Sequence, residues 1–193
     1  MKKVANKRIA RPITAKYLQN AATFYLERYP STAEGLRRVL NRRVRKAEMF
    51  QAPIMDDVQQ AISVIVQKFV DAGMIDDKAF AQTKARSLHR RGSSAKLTRQ
   101  KLQHAGVDRE TLDKAMAGLD EELDLDPRKR ELTAAIALAR RRKLGPFRIE
   151  KDRKDRRAKD LAAMARGGFD YQLAKKVIDA ADVDTLDDLL DEG

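Results

Sequence analysis

The chain has 193 residues and no cysteine, which excludes a disulfide framework and a thiolate metal site. It contains 41 Lys and Arg residues against 29 Asp and Glu residues, so its formal net charge is +12. A positive charge of this size favours a polyanion or an acidic protein surface as the partner. Hydrophobic residues make up 42% but aromatic residues only 5%, which indicates several thin cores rather than one thick core.

Both ends of the chain are charged, and neither predicts a membrane anchor. Lys7, Arg8 and Arg11 interrupt the first segment, so it does not resemble a signal peptide, and no apolar run approaches the ~20 residues that span a bilayer. We therefore expect a cytoplasmic monomer. We predict a basic arm over residues 1–15 and an acidic tail over residues 182–193, both solvated. In an alternative interpretation, the acidic tail competes with an anionic partner for the basic faces.

Apolar residues at helical spacing predict three helices in the first third of the chain. The first helix is predicted from Tyr17 to Tyr29. A capping box from Ser31 to Glu34 begins the second helix. A loop at residues 49–56 precedes the third, which Gly73 terminates. We predict that these helices form a first three-helix repeat over residues 16–73.

The rest of the chain is punctuated by glycine and aspartate in a recurring way. Gly106-Val107-Asp108 and Gly168-Phe169-Asp170 each separate two amphipathic stretches. Glycine ends a helix by adopting the left-handed conformation, and Asp then caps the next helix. Asp126-Pro127 begins another helix, with proline at the first helical position. We predict a second repeat, an acidic linker and a third repeat, over residues 74–119, 120–126 and 127–181.

No stretch alternates apolar and polar residues over the length of a strand. The sequence therefore predicts an all-α fold, an elongated and curved tandem array of three three-helix repeats. Function in such an array belongs to an extended surface rather than to an active-site pocket.

The residues that could support catalysis are few, and each has a structural explanation. His89 and His104 lie among Arg, Lys and Gln, and we predict both on the surface. The pairs Asp56-Asp57 and Asp76-Asp77 directly precede helices, so we interpret them as caps. Phosphate-binding loops and nucleophile elbows are absent from the sequence. We predict no enzyme activity, no metal site and no cofactor.

Basic clusters occur in every predicted repeat. In the first, Arg38, Arg42 and Lys46 fall on one stripe of a helix, away from its apolar residues. Aromatic residues are not interleaved with the bases, which argues against a stacking platform for single strands. A cluster of bases is often only a solvated face, but recurrence favours an extended electropositive surface. The predicted partner-binding residues are Arg37, Arg38, Arg42, Arg43, Lys46, Arg86, Arg90, Arg91, Lys96, Arg99, Arg140, Arg141, Arg142 and Lys143.

Several segments resemble a known family when they are taken in chain order. Ile75-Asp76-Asp77-Lys78-Ala79-Phe80-Ala81 resembles the Leu-Asp-Asp-x-x-Phe-Ala segment of the RecX regulatory proteins. The resemblance covers about residues 15–181, although the loop from Glu48 to Asp56 replaces a glycine junction. Further segments similar to this family are Ser31 to Leu40, Arg90 to Asp108, Arg141 to Gly145 and Arg166 to Asp170.

The resemblance implies a tandem array of three-helix repeats without catalysis. It implies binding in the helical groove of the filament that the RecA recombinase forms on DNA. There the protein would inhibit ATP hydrolysis, strand exchange and coprotease activity, and so modulate recombination, DNA repair and the SOS response. It also implies contact with DNA, directly or through the filament. The matching residues are mostly helix caps, helix ends and core positions, so they identify no contact residues.

Two other hypotheses fit a basic helical chain. Residues 97–116 could form a helix-turn-helix in a DNA-binding regulator. Its recognition helix would hold three acids against two bases between Asp108 and Lys114, which counts against that hypothesis. The third hypothesis is a non-specific scaffold that binds polyanions such as heparin or RNA.

Overall fold

The computed structural model describes residues 11–191, and within that range it contains α-helices, one short 3-10 helix and no strand. The predicted all-α fold is confirmed. The chain forms two compact units, Met1–Phe80 and Ala81–Gly193. This division does not test the boundaries of the three predicted repeats, which stay a prediction. The helices are α1 (Ala15–Leu26), α2 (Ala33–Met49), α3 (Val58–Asp71), α4 (Asp77–Arg90), α5 (Ala95–Ala105), α6 (Arg109–Leu123), α7 (Pro127–Arg142), a 3-10 turn (Gly145–Phe147), α8 (Glu150–Arg166), α9 (Tyr171–Ile178) and α10 (Val183–Asp191).

Helices α1 to α3 of the first unit enclose one apolar core, in which Leu18, Leu36 and Ile62 are fully buried. The capping residues differ from the prediction at two places. Thr32, rather than Ser31 of the predicted capping box, accepts the Gly35 N–H at 2.9 Å and begins α2. Asp57 precedes α3 without a capping hydrogen bond from its side chain, so the predicted Asp cap of this helix is wrong.

The predicted basic arm is partly built into the first unit. Ile13 is buried in the core. Its N–H donates to the Pro53 carbonyl at 2.8 Å, and its carbonyl accepts the Met55 N–H at 3.1 Å. These bonds form an isolated parallel bridge between Ile13 and Ile54. Ile13 therefore attaches this end of the predicted arm to the core, whereas Arg11, Pro12, Thr14 and Ala15 are exposed. The remainder of the predicted arm, residues 1–10, lies outside the described range.

The two glycine junctions predicted in the second unit are confirmed. Gly106 has φ +93° and Gly168 has φ +89°, both in the left-handed region. Asp108 and Asp170 then cap α6 and α9, each accepting a backbone N–H three residues later at 2.9 Å. A glycine tolerates this φ because it has no Cβ, and the following Asp satisfies a free N–H of the next helix.

The predicted acidic tail is wrong as a description of its structure. Helix α10 begins within the segment predicted to be a solvated tail, and Leu186 is fully buried against the core of α7 to α9. Asp182 caps this helix by accepting the Thr185 N–H at 2.8 Å. Only the aspartates stood out in the sequence, and the apolar side of this short helix was missed.

Candidate partner-binding surfaces

In the first unit the predicted basic residues of α2 form a continuous stripe. Arg38, Arg42, Arg45 and Met49 recur at intervals of four, three and four residues, which places them on one face of the helix. Lys46 lies beside them. We call these five residues the α2 stripe. Arg42, Arg45 and Lys46 are exposed, and among the described residues none of the three forms an ion pair with a carboxylate.

The other predicted residues of α2 are already engaged. Glu34 accepts hydrogen bonds from Arg37 at 3.1 Å and from Arg38 at 3.2 Å. Burial raises the pKa of Glu34, but these two bonds outweigh it and hold that pKa below its ordinary value. Arg43 is half-buried and donates to the Tyr17 hydroxyl at 3.4 Å. The structure thus presents Arg42, Arg45 and Lys46 most openly, and Arg45 was absent from the predicted set.

In the second unit three helical turns meet at one point. A Cβ on Gly92, which ends α4, would lie 2.6 Å from the Cα of Leu138 in α7. A Cβ on Gly167, at the end of α8, would lie 2.6 Å from a methyl group of the same leucine. The Ser94 N–H, at the start of α5, donates to the Gly167 carbonyl at 3.1 Å. We call this meeting point the junction.

The ends of three helices bring exposed bases around the junction. Arg90 and Arg91 directly precede Gly92, and Arg166 directly precedes Gly167. Arg141 and Arg142 lie one helical turn beyond Leu138 in α7. Bases are favourable at helix C-termini because the last carbonyls carry partial negative charge. We define the junction cluster as Arg90, Arg91, Lys96, Arg141, Arg142 and Arg166, all of them exposed.

Four predicted partner residues of the second unit lie in other surroundings. Arg86 is paired with Glu122, and Arg99 is paired with Asp113. Arg140 lies 5.4 Å from the ring of Phe147, within range of a cation–π contact. Lys143 follows α7 with φ +53°. Arg166 was missing from the predicted set, because only the contact of Gly167 with Leu138 brings it to the junction.

A polar cluster in the second unit includes His89, and it corrects the prediction that His89 is on the surface. His89 is buried, whereas His104 is exposed as predicted. Arg130 is buried and paired with Asp120. The Ala95 N–H donates to Glu131 at 2.8 Å. His89, Ala95, Arg130 and Glu131 line a small cavity between α4, α5, α6 and α7.

The polar cluster shifts two pKa values in directions that follow from burial. Burial lowers the pKa of His89, and the charge of Arg130 lowers it further. Burial raises the pKa of Glu131, although the hydrogen bond from the Ala95 backbone opposes that shift. His89 is therefore buried in its neutral form, and a proton bound to it would weaken the folded state.

The lowered pKa of His89 predicts that stability is lost in mild acid. Below about pH 6.5, His89 binds a proton in the unfolded chain more readily than in the folded chain. The free energy of unfolding therefore falls as the pH is lowered, by at most about 1.4 kcal/mol per pH unit. We expect His89→Gln to remove this slope. Urea unfolding at several pH values measures it, and subtracting the two proteins cancels the opposite contribution of Glu131. Parallel pH profiles for the wild type and the variant would contradict the prediction.

Within the range described, the surfaces offer charge rather than coordination chemistry. No group of three His, Asp or Glu side chains in residues 11–190 lies close enough to hold a metal ion. None of the helices described is long and apolar enough to cross a bilayer. The described residues present two exposed basic surfaces, the α2 stripe and the junction cluster.

Fold and surface together define an all-α protein with exposed basic surfaces. Residues 76–116 match the family model described as the second three-helix domain of RecX. The regulatory protein RecX of Myxococcus xanthus (strain DK1622) is 40% identical over 171 residues, 88% of each chain. That of Agrobacterium fabrum (strain C58 / ATCC 33970) is 33% identical over 177 residues, 91% of this chain and 89% of its own. The chain belongs to the RecX family of regulatory proteins.

Solved structures agree at the level of the fold. The crystal structure of RecX from Lactobacillus salivarius matches with a TM-score of 0.54 and 21% identity, over 93% of this chain and 97% of its own. A further crystal structure of a regulatory protein RecX matches with a TM-score of 0.52 and 19% identity, over 86% of this chain and 72% of its own. At such identities the likeness extends to the fold and not to individual contact residues.

Proposed function

We propose that this protein binds the filament that the RecA recombinase forms on DNA, and inhibits its ATPase, strand exchange and coprotease activities. The observation that supports this most is the junction cluster, a set of exposed bases that three helix ends bring together in the second unit. Membership of the RecX family supports RecA as the partner, and the cluster is an electropositive surface suited to such a partner. The protein would act in the cytoplasm by binding, without catalysis, in keeping with relatives named as regulatory proteins.

The helix-turn-helix hypothesis finds less support. Helix α6 would be the recognition helix, and Glu110 and Asp113 lie exposed on it. Glu110 accepts a hydrogen bond from Lys114 at 2.5 Å, and Asp113 is paired with Arg99. The bases that would contact phosphates on this helix are therefore partly neutralised, and its carboxylates would repel a DNA backbone.

The DNA-dependent ATPase of RecA tests the proposal directly. The protein is titrated into the reaction at substoichiometric amounts, with and without an excess of competing duplex DNA. We expect inhibition well below one molecule per RecA that survives the competitor, because a filament binder does not act by hiding the DNA. Loss of inhibition in the presence of competitor would favour a basic DNA-binding protein instead.

Charge reversal at the junction cluster should weaken inhibition. We expect Arg141→Glu with Arg142→Glu to raise the amount of protein needed for half-inhibition by about tenfold, because two favourable charge contacts become repulsive. The control reverses Lys151 and Lys154 to Glu, which are exposed on α8 and change the net charge equally. Equal weakening by both variants would mean that net charge, and not this cluster, controls the interaction.

A further inference from the structure

We propose that the α2 stripe, together with Phe50, is a docking site for an acidic peptide segment that carries large apolar side chains. The stripe lies wholly in the first unit, on one helix whose opposite face is built into the core. The inference goes beyond the proposed function because it concerns the chemistry of a partner segment, whichever protein supplies it.

The charge of the α2 stripe indicates that the partner segment is acidic. Arg42, Arg45 and Lys46 lie within little more than one turn and are exposed, without a carboxylate partner among the described residues. From Arg38 to Met49 the stripe extends about 16 Å along the helix axis. About five residues of an extended peptide have that length. A short segment with several Asp or Glu residues therefore matches both the charge and the size of the stripe.

Exposed apolar residues at the end of the stripe indicate that the partner segment also carries large apolar side chains. Met49 is 81% exposed and Phe50 is 58% exposed, whereas their neighbours Ala47 and Ala52 pack into or against the core. The two side chains stand directly at the end of the basic stripe, where a partner's apolar side chains could bury them. An interface gains most from a few large anchors of this kind, surrounded by polar contacts. Methionine also adapts its shape to different partners.

The same residues disfavour a nucleic acid on this surface. A duplex presents charged phosphates outward, and these offer no apolar group to cover Met49. Glu48 is exposed on the flank of the stripe and would repel a continuous run of phosphates. A short acidic peptide can place its acids on Arg42, Arg45 and Lys46 and its apolar side chains on Met49 and Phe50.

A single tryptophan makes this surface observable, because the chain contains none. Phe50→Trp in the full chain places the reporter at the end of the stripe. The probe is a short synthetic peptide of Glu and Asp with two Leu residues at one end. A matched peptide has Ser in place of Leu, and a short single-stranded oligonucleotide represents nucleic acid. We expect a blue shift of Trp emission with the Leu peptide and binding at least about tenfold weaker with the Ser peptide.

Two further variants in the Phe50→Trp chain locate the effect. We expect Arg42→Gln, Arg45→Gln and Lys46→Gln together to weaken binding of the Leu peptide by at least tenfold. The control is Lys151→Gln, Lys154→Gln and Arg156→Gln, which removes three exposed charges from α8 and should leave the affinity unchanged. Helical circular dichroism checks that each variant is folded. The proposal would be overturned if the blue shift were absent or if the two peptides bound equally. It would also be overturned if the two variants had equal effects or if the oligonucleotide bound more tightly than the Leu peptide. These outcomes do not depend on the result of the ATPase assay.

Discussion

Gly92→Ala is expected to destabilise the second unit by about 3 kcal/mol, more than any exposed substitution in the chain. Gly92 has φ +72°, where an L-residue with a side chain pays about 1 kcal/mol or more. Its Cβ would also lie 2.6 Å from the Cα and 2.7 Å from the Cβ of Leu138, one turn before the end of α7. A helix backbone cannot yield as a flexible side chain would, so overpacking adds about 1–3 kcal/mol.

Two other glycines separate these contributions. Gly73 has φ +67° but no atom within 4 Å of its Cβ position, so Gly73→Ala should cost only the conformational part, about 1 kcal/mol. Gly118 lies inside α6 with open space around it, and Gly118→Ala should stabilise the protein by about 0.5–1 kcal/mol. Urea unfolding followed by helical circular dichroism gives all three values. Equal losses for Gly92→Ala and Gly73→Ala would show that the contact with Leu138 is unimportant.

Local signals explain why much of the fold was predictable from the sequence. The order glycine, apolar residue, aspartate at Gly106 and Gly168 needs only the preferences of a helix end and of the next helix cap. Both positions have the predicted left-handed φ, and both aspartates cap their helices. Such a signal depends on a few consecutive residues, so no knowledge of tertiary contacts is required.

The parts that were missed depend on contacts between distant residues. His89 has polar neighbours in the sequence, yet α5, α6 and α7 cover it, with Arg130 and Glu131 contributed from forty residues further along. The bases around the junction could be listed from the sequence, but Arg166 joins them only because Gly167 meets Leu138. The sequence did not show that Arg86 and Arg99 form ion pairs, because their partners, Glu122 and Asp113, are remote in sequence.

The same distinction between local and distant contacts applies to the carboxylate of Asp160, which is 2% exposed in the second unit. It accepts the Gly145 N–H at 3.0 Å, and Arg148 donates to its two oxygens at 2.8 Å and 3.2 Å. These bonds fix the turn between α7 and α8 to the middle of α8. The pKa of the Arg148 guanidinium is raised, because the hydrogen bond to Asp160 outweighs its desolvation. Both oxygens of this buried carboxylate thus have hydrogen-bond partners.

Asp160→Ala is therefore expected to destabilise the second unit by about 3 kcal/mol, because it leaves a buried N–H and a partly buried guanidinium without an acceptor. Asp179 provides the matched comparison. It accepts two hydrogen bonds from Arg157, both at 2.7 Å, but this pair is far more exposed, and Asp179→Ala should cost under about 1 kcal/mol. Urea unfolding measures both. Equal losses of unfolding free energy in the two variants would mean that burial adds nothing to the Asp160–Arg148 pair. If the double variant Asp160→Leu with Arg148→Met recovers part of the stability lost in Asp160→Ala, the unpaired guanidinium is the main cost.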